Sequence, residues 1–434
     1  MDKSFVSIPE ARLETRFKDA KPLYSETEAL TEANRCLFCY DAPCITACPT
    51  SIDIPGFIRK ITTGNIRGAA QTIFRSNLLG VSTSRVCPVE ELCAGACVLT
   101  ERPINIGRLQ RYATETALEW EENNNQKLFN AKPSNDHKVA LIGAGPASLS
   151  CAAYLALNGI QPVIFEKDTI PGGLNITGIA PYKTQSTDIK NEIDWLCQFG
   201  IEIRTGVQVG RDIMTDQLLA DFDAIFLGLG LGKDKRLAIP GEDSEGVWGA
   251  THLIRMIKIE KQFTLPEDLK SVIVIGGGNT AIDIARELAM LGVPNVDILY
   301  RRTILEMPGY KHEFENARRY GVRMIEYEIP DNITNDGKLI LHTKHKITGE
   351  QSRFESDWIV VAIGQDRHVN ELIPGLKVDG KDQVVVDPGT QLTSVPNVYA
   401  GGDCINGGKE VVNAVADGRN AAHSILQSLG LEIN

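Results

Sequence analysis

The sequence predicts an α/β fold with an all-α N-terminal domain followed by two Rossmann-like domains, the second inserted in the first. Three observations predict it. Strand-like alternation is nearly absent from the first 120 residues. A strand, glycine turn, helix and strand then begin at Lys138, and the same succession begins again at Ser271. Two βαβ units of one pattern imply two dinucleotide-binding domains. The expected segments are 1–130 for the helical domain, 136–250 and 367–434 for the two halves of the first dinucleotide domain, and 251–366 for the inserted one.

Taken in order, Ser25-Glu26-Thr27-Glu28 reads as a capping box, opening a helix that runs to about Cys36. Ile54–Thr62 and Ile66–Ser76 carry helical spacing. Residues 121–135, with consecutive asparagines and a Pro-Ser-Asn-Asp end, read as a linker. Lys138–Ile142 is a short buried strand, Pro146–Leu157 a helix ended by Gly159, and 162–165 a strand. In the second unit Ser271–Ile275 is a strand, 280–291 a helix ended by Gly292, and 296–300 a strand.

Hydrophobic residues at 43% and charged residues at 23% describe a globular chain rather than a disordered one. Apolar runs such as 272–275 and 358–363 are far too short to cross a membrane, and the polar start Met1-Asp2-Lys3-Ser4-Phe5 lacks a signal-peptide apolar region. A cytoplasmic location is the default expectation. A net charge of −11 argues against nucleic acid or an anionic membrane as partner.

Seven of the ten cysteines lie between Cys36 and Cys97. In a reducing compartment such crowding points to ligation rather than disulfides. Cys36-x2-Cys39-x4-Cys44-x3-Cys48-Pro49 is followed by Cys87-Pro88-x4-Cys93-x3-Cys97. A zinc module, the simpler alternative, groups cysteines as two close pairs. Two separated groups, each with a Cys-Pro, fit the iron–sulfur pattern in which a late cysteine of one run ligates the other cluster. Two four-iron clusters need eight ligands, so one is another residue type or one cluster is incomplete.

Gly143-Ala144-Gly145-Pro146-Ala147-Ser148 follows a strand and opens a helix, whose N-terminus offers free N–H groups to a pyrophosphate. Ser148 stands for the third glycine, and Glu166 is placed for ribose hydroxyls. Gly172-Gly173-Leu174 adds a second close backbone approach. Gly276-Gly277-Gly278-Asn279-Thr280-Ala281 repeats the fingerprint, but its second strand ends in Arg301-Arg302 with no ribose acid. Guanidinium groups there suit a 2′-phosphate, favouring NADPH over NADH; a solvated loop is the plain alternative. Strands ending at Gly228 and Gly364 fit crossings between the two domains. Gly402-Asp403 precedes a helix from about Val411-Val412, suiting a flavin hydroxyl and the flavin ring, which assigns FAD to the first domain.

Over nearly its whole length the chain resembles the flavin and iron–sulfur subunit of bacterial NAD(P)-dependent dihydropyrimidine dehydrogenases, within a wider kinship that includes the small subunit of glutamate synthase. The residues that carry the resemblance are 35–44, with Asp41-Ala42-Pro43-Cys44, then Arg85-Val86-Cys87-Pro88 and 103–110. The resemblance implies that Cys36, Cys39, Cys44 and Cys97 hold one [4Fe-4S] cluster, and that Cys48, Cys87, Cys93 and Gln110 hold the other. Taken alone, Gln110 would read as a surface residue on a helix. Lys183 replaces a family arginine and is expected to reach a flavin phosphate; Asn279 replaces a common aspartate.

What the resemblance implies is an electron-input subunit. Hydride passes from NAD(P)H to FAD, then single electrons pass through two clusters to an FMN-containing partner that reduces uracil or thymine. The alternatives are a glutamate synthase small subunit and, in another class, a non-catalytic redox sensor or adaptor. No catalytic side chain is required, because the cofactors bear the chemistry. Cys151, Cys197 and Cys404 read as core cysteines, and His342 and His345 as part of a polar strand surface. No Cys-x-x-Cys follows the second fingerprint, which weakens a thioredoxin-reductase-like activity.

Overall fold

The computed structural model describes residues 8–367 and 372–433, so the polar start at Met1–Phe5 lies outside it. The N-terminal domain is built from α1 (Glu26–Ala33), α2 (Pro43–Thr46), α3 (Ile54–Thr62), α4 (Ile66–Ser76), α5 (Gly80–Val86) and α6 (Ile106–Asn124). Among the described residues no strand precedes β1 (Lys138–Ile142). The capping box forms: Glu28 N donates to Ser25 Oγ at 3.4 Å, and the Glu28 carboxylate accepts from Ser25 N at 2.8 Å. Apolar residues recur once per turn, so α3 buries Ile54, Phe57, Ile58 and Ile61, and α4 buries Ala69, Ala70, Ile73 and Phe74.

The linker expected over 121–135 starts late. α6 continues to Asn124 and stops at Asn125, whose φ of 50° breaks it. Glu121 is buried rather than solvated, because its carboxylate accepts from Trp195 Nε1 at 3.3 Å and Leu128 N at 2.9 Å. Two acceptor oxygens with two donors make a polar residue a core residue.

The chain then enters β1, α7 (Pro146–Leu157), β2 (Gln161–Glu166), α8 (Leu174–Thr177), α9 (Ser186–Cys197), β3 (Glu202–Thr205), α10 (Thr215–Asp221) and β4 (Ala224–Leu227). A second unit holds β5 (Val247–Gly249), α11 (Ala250–Ile259), β6 (Ser271–Ile275), α12 (Asn279–Met290), β7 (Asn295–Tyr300), α13 (Lys311–Arg318) and β8 (Arg323–Glu326). It continues through β9 (Glu328–Asn335), β10 (Leu339–His345), β11 (Gln351–Ser356) and β12 (Trp358–Val361). The return adds β13 (Val398–Ala400), α14 (Asp403–Asn406) and α15 (Val411–Ser428).

Two parallel five-stranded sheets result, in the orders β13-β4-β1-β2-β3 and β5-β12-β6-β7-β8. Because β13 pairs with β4 across the whole intervening unit, the second domain is inserted in the first. Val247–Gly249, at the end of the segment 136–250, pair with β12 and so belong to the inserted sheet. The crossings run antiparallel to each other: Gly232 N donates to Asp366 O at 2.7 Å, and Lys235 N to Gly364 O at 2.9 Å. β9, β10 and β11 form a separate antiparallel sheet, whose Ile333, Leu339 and Leu341 pack on Ile273, Ile275 and Leu299.

One apolar core joins the helical domain to the first dinucleotide domain. Phe74, Leu78, Leu79 and Val81 share it with Leu149, Trp195, Leu196 and Ile425. Arg419 of α15 ties the same halves, donating to Thr50 O at 2.8 Å and Ser76 O at 2.9 Å. The cysteine region is thereby held rigidly beside the first fingerprint.

Candidate functional site

Cys36, Cys39, Cys44 and Cys97 line one cleft with about 380 Å³ of empty space, part of it open to solvent. The rest of its wall is apolar, including Leu37, Ile54, Ile58, Val98 and Ile104. Burial pushes the Cys44 thiol up to about 11, with Cys36 and Cys97 adding to the shift. The other three cysteines form a second group, of which Cys48 is buried and Cys87 and Cys93 are half-buried. Burial raises Cys93 to about 12, helped by Cys48, and holds Cys87 well above the usual thiol range, helped by Cys93, Cys48 and Glu410. Thiols crowded in this way repel one another as thiolates and are relieved by a cationic iron group. Among the described residues no three His, Cys, Asp or Glu side chains close on a single-ion position. Four sulfurs on one apolar-walled cleft supply the kind of ligand set that an iron–sulfur cluster takes.

Gln110 is buried against α5, whose following residue is Cys87. Its Nε2 donates to Gly80 O at 2.8 Å and Thr83 Oγ1 at 3.0 Å. With Nε2 so engaged, Oε1 is the end of the amide left to accept or ligate.

At the first fingerprint Gly143 adopts φ 91° and donates its N–H to Phe165 O at 2.8 Å, turning the chain from β1 into α7. A Cβ there would stand 2.6 Å from Gly228 O. Space is open over Gly145, and Gly173 approaches its Cα closely from the other side, where a Cβ would stand 3.1 Å away. α7 begins with Pro146 and Ala147 and has no side-chain cap, leaving its first N–H groups for a ligand. Ser148 is fully buried, and its Oγ lacks a hydrogen-bond partner. Glu166 accepts from Ala144 N and Asp168 N, both at 2.7 Å, which ties β2 to the glycine turn. Leu174 opens α8 beside this turn.

On the return, Gly402 N donates to Asp417 Oδ2 at 3.0 Å, and Asp403 accepts from Lys409 N at 3.1 Å. Burial raises both carboxyls. α15 starts at Val411 and Val412 with Glu410 as N-cap and no side-chain cap, a second uncapped helix N-terminus. This open glycine cradle, the orphaned Ser148 hydroxyl and the free α15 N-terminus fit a flavin dinucleotide.

At the second fingerprint Gly276 lies against Ala362 O, Tyr300 covers Gly277, and space is open over Gly278. Asn279 and Thr280 start α12, Ala281 is buried, and no side chain caps the helix. Asn279 Oδ1 accepts from Tyr310 N at 2.8 Å. Arg301 and Arg302 are exposed, and Arg302 lies close enough to Glu306 to help hold its carboxyl low, behind the hydrogen bonds from Thr303. Gly364 (φ 107°) stands at the crossing.

Lys183 is not brought to the flavin cradle. Its ammonium lies 2.8 Å from Asp283 Oδ1 and 3.1 Å from Glu313 Oε1, in the inserted domain. Two carboxylates at contact distance engage the ammonium, so it is paired within the protein. Cys151 and Cys404 are buried, while Cys197 is half-buried on α9. His342 and His345 lie on β10, bonded to Thr334 and Thr348. Sequence reasoning missed Asp417, Gly418, Glu410 and Tyr310. Pro308-Gly309 before Tyr310 is a visible turn signal, whereas the others sit in ordinary helical spacing.

Residues 13–122 match the family described as dihydropyrimidine dehydrogenase domain II, 4Fe-4S cluster, and 137–418 match pyridine nucleotide-disulphide oxidoreductase. The chain is 33% identical over 406 residues to NAD-dependent dihydropyrimidine dehydrogenase subunit PreT of Escherichia coli O157:H7, covering 93% of this chain and 95% of the relative. It is 31% identical to the glutamate synthase [NADPH] small chain of Escherichia coli K12, covering 99% and 98%. The fold resembles T. acidophilum thioredoxin reductase, with a TM-score of 0.55 at 24% identity over 68% of this chain and 99% of that one. Among the described residues no helix is long and apolar enough to cross a membrane. The chain is an oxidoreductase of the pyridine nucleotide-disulphide family and belongs, with the bacterial dihydropyrimidine dehydrogenase subunits and glutamate synthase small chains, to the branch that carries an N-terminal 4Fe-4S domain.

Proposed function

We propose that this chain is the electron-input subunit of a two-part enzyme of the cytoplasm. NADPH, in preference to NADH, gives hydride to FAD, and single electrons leave through two [4Fe-4S] clusters to an FMN-containing partner that reduces uracil or thymine. Cys36, Cys39, Cys44 and Cys97 are assigned to one cluster, and Cys48, Cys87, Cys93 and Gln110 to the other. The observation that carries the reading is the split of the clustered cysteines into a cleft of four and a second group of three, Cys48, Cys87 and Cys93, with Gln110 held against the helix that leads into Cys87.

When bound, the flavin takes electrons as a pair and the clusters take them singly. The chain's own residues bind and orient. Gly143, Gly145 and the α7 N-terminus take the pyrophosphate of FAD, Glu166 a ribose hydroxyl, and Asp403 a flavin hydroxyl. The α15 N-terminus offers its partial positive charge to the ring. Arg301 and Arg302, both exposed, are assigned to the 2′-phosphate. The Glu410 carboxylate at the N-cap of α15 adds to the upward push on the Cys87 thiol, behind burial, Cys93 and Cys48.

A glutamate synthase small chain is the second reading, favoured by the 31% identity over 99% of the chain. Gln110, where the resemblance predicts glutamate in those proteins, favours the pyrimidine reading.

The test is composition and division of labour together. The purified chain should carry about eight irons per FAD and oxidise NADPH with an artificial dye. It should reduce uracil only after an FMN-bearing second protein is added, because its described elements form two dinucleotide domains and a helical domain, with no β/α barrel among them. Iron near four, zinc in place of iron, or uracil-dependent NADPH oxidation by the chain alone would refute it.

A further inference from the structure

Residues 306–310 press on the second fingerprint. Gly309 N donates to Gly277 O at 2.9 Å. A Cβ on Gly309 would lie 2.5 Å from Ile282 Cδ1 and 3.1 Å from that same oxygen. The next residue, Tyr310, reaches from the fingerprint to the other domain. Its N–H donates to Asn279 Oδ1 at 2.8 Å, at the start of α12. Its O–H donates to Glu410 Oε1 at 2.6 Å, at the N-cap of α15. The ring is braced from behind by His312, parallel within 8° and 5.8 Å away between centroids. His312 in turn lies 3.7 Å from Glu90 and 3.5 Å from Glu91 of the cluster domain.

Tyr310 therefore bridges two uncapped helix N-termini, its backbone N–H anchored at α12 and its phenol laid across the interval to α15. In the function proposed above, the nicotinamide end of the nucleotide must cross that interval, from its pyrophosphate on α12 to the flavin at α15. A phenol bonded across the interval and a nicotinamide ring cannot share it. We propose that Tyr310 is a gate: its hydrogen bond to Glu410 closes the nicotinamide path in the nucleotide-free chain, and the nucleotide binds productively only when the phenol swings aside. The inference rests on that reading of the two fingerprints and adds a positioning residue to it.

A gate of this kind has a signature that a plain structural tie lacks. A closed population lowers the apparent affinity only of ligands that need the open path. NADP⁺ needs it, while adenosine 2′,5′-bisphosphate, which ends before the nicotinamide, does not. An O–H to carboxylate bond of this length is charge-assisted, and its loss should shift the equilibrium by about tenfold.

The experiment titrates both probes by calorimetry into the FAD-loaded full chain, as parent, Tyr310→Phe and Glu410→Gln. Tyr310→Phe should bind NADP⁺ about tenfold more tightly, with the bisphosphate unchanged within about twofold. Glu410→Gln should move NADP⁺ the same way by less, since an amide oxygen still accepts, and it carries the test if the phenylalanine variant fails to fold. In each variant NADP⁺ should perturb the flavin visible spectrum at lower concentration than in the parent. Equal shifts for both probes, weaker NADP⁺ binding, or no change would overturn the gate. Absence of bisphosphate binding to the parent would instead strike the nucleotide assignment of the second fingerprint, and the gate with it.

Discussion

Gly418→Ala should open the flavin cradle from behind. Gly418 lies where α15 crosses α7, and a methyl group there would stand 2.1 Å from Ala147 O and 3.0 Å from both Ala147 C and Cys151 N. All three are backbone atoms of α7, so nothing can rotate away. Carbon contacts settle at about 3.5 Å or more, so the helices must part by roughly 1 Å. Overpacking of this kind costs about 1–3 kcal/mol. The strain lands on the site, because Ala147 opens the fingerprint helix and Asp417 holds Gly402 N. Thermal release of FAD, followed by the rise in flavin fluorescence, should shift down by roughly 3–10 °C. Gly228→Ala supplies the contrast. Its methyl would meet Ser148 Oγ at 2.1 Å, a side-chain atom that Ser148→Ala removes. The double variant should recover most of the loss, whereas no single partner change should rescue Gly418→Ala. A Gly418→Ala midpoint within about 1 °C of the parent would refute the reasoning, since it would mean that α7 and α15 do not set the cradle.

Replacing Arg301 and Arg302 together by alanine should raise KM for NADPH by about tenfold or more and leave that for NADH nearly unchanged, since NADH offers no 2′-phosphate. Steady-state kinetics with equal losses for both nucleotides would make the arginines structural. Burial raises the Glu192 carboxyl to about 7, although Val81 N and Ser82 N donate to it. A raised carboxyl binds its proton more tightly when folded, so stability is greatest below the ordinary carboxylate range. It falls by roughly 3 kcal/mol as pH climbs toward 7 and levels off above. Glu192→Gln should flatten that slope in denaturant titrations between about pH 5 and pH 7; an unaltered slope would assign it to other groups.

Local chemistry was legible wherever one short segment contains the whole reason for its structure. The Ser25 capping box, the helices Ile54–Thr62, Ile66–Ser76 and Pro146–Leu157, and the strands Lys138–Ile142 and Ser271–Ile275 carry their own caps, periods and glycine turns. The cysteine spacing foretold ligation in the same way. The grouping did not follow from spacing alone, because Cys97 comes from a loop far along the chain and joins Cys36, Cys39 and Cys44 only in the folded domain. Gln110 drew its meaning from the family resemblance, for a glutamine on a helix has no local signature. The linker reading begins too early, at residue 121, because the last turn of α6 is rich in Glu and Asn. The burial of Glu121 depends on Trp195, which no window around either residue contains.

The contacts that set the inserted domain's orientation share that long-range character. Two antiparallel crossings alone would let it turn on the first domain, yet three further ties restrain it. Leu13 and Phe17 of the N-terminal arm sit in its core. Between them Glu14, fully buried, accepts from Ser186 N at 2.8 Å and pairs with the buried Lys258 at 3.0 Å. Tyr182 O–H donates to Asp283 at 2.7 Å, and Lys183 pairs with the same carboxylate. Turning the domain would separate Lys183 from Asp283 and Glu14 from Ser186, and breaking a largely buried ion pair leaves uncompensated charge at a cost of about 3–5 kcal/mol. The nucleotide domain is thus held by buried charge in one orientation. A path between nicotinamide and flavin is then opened most cheaply by moving a side chain, which places the burden of access on Tyr310 rather than on the domain.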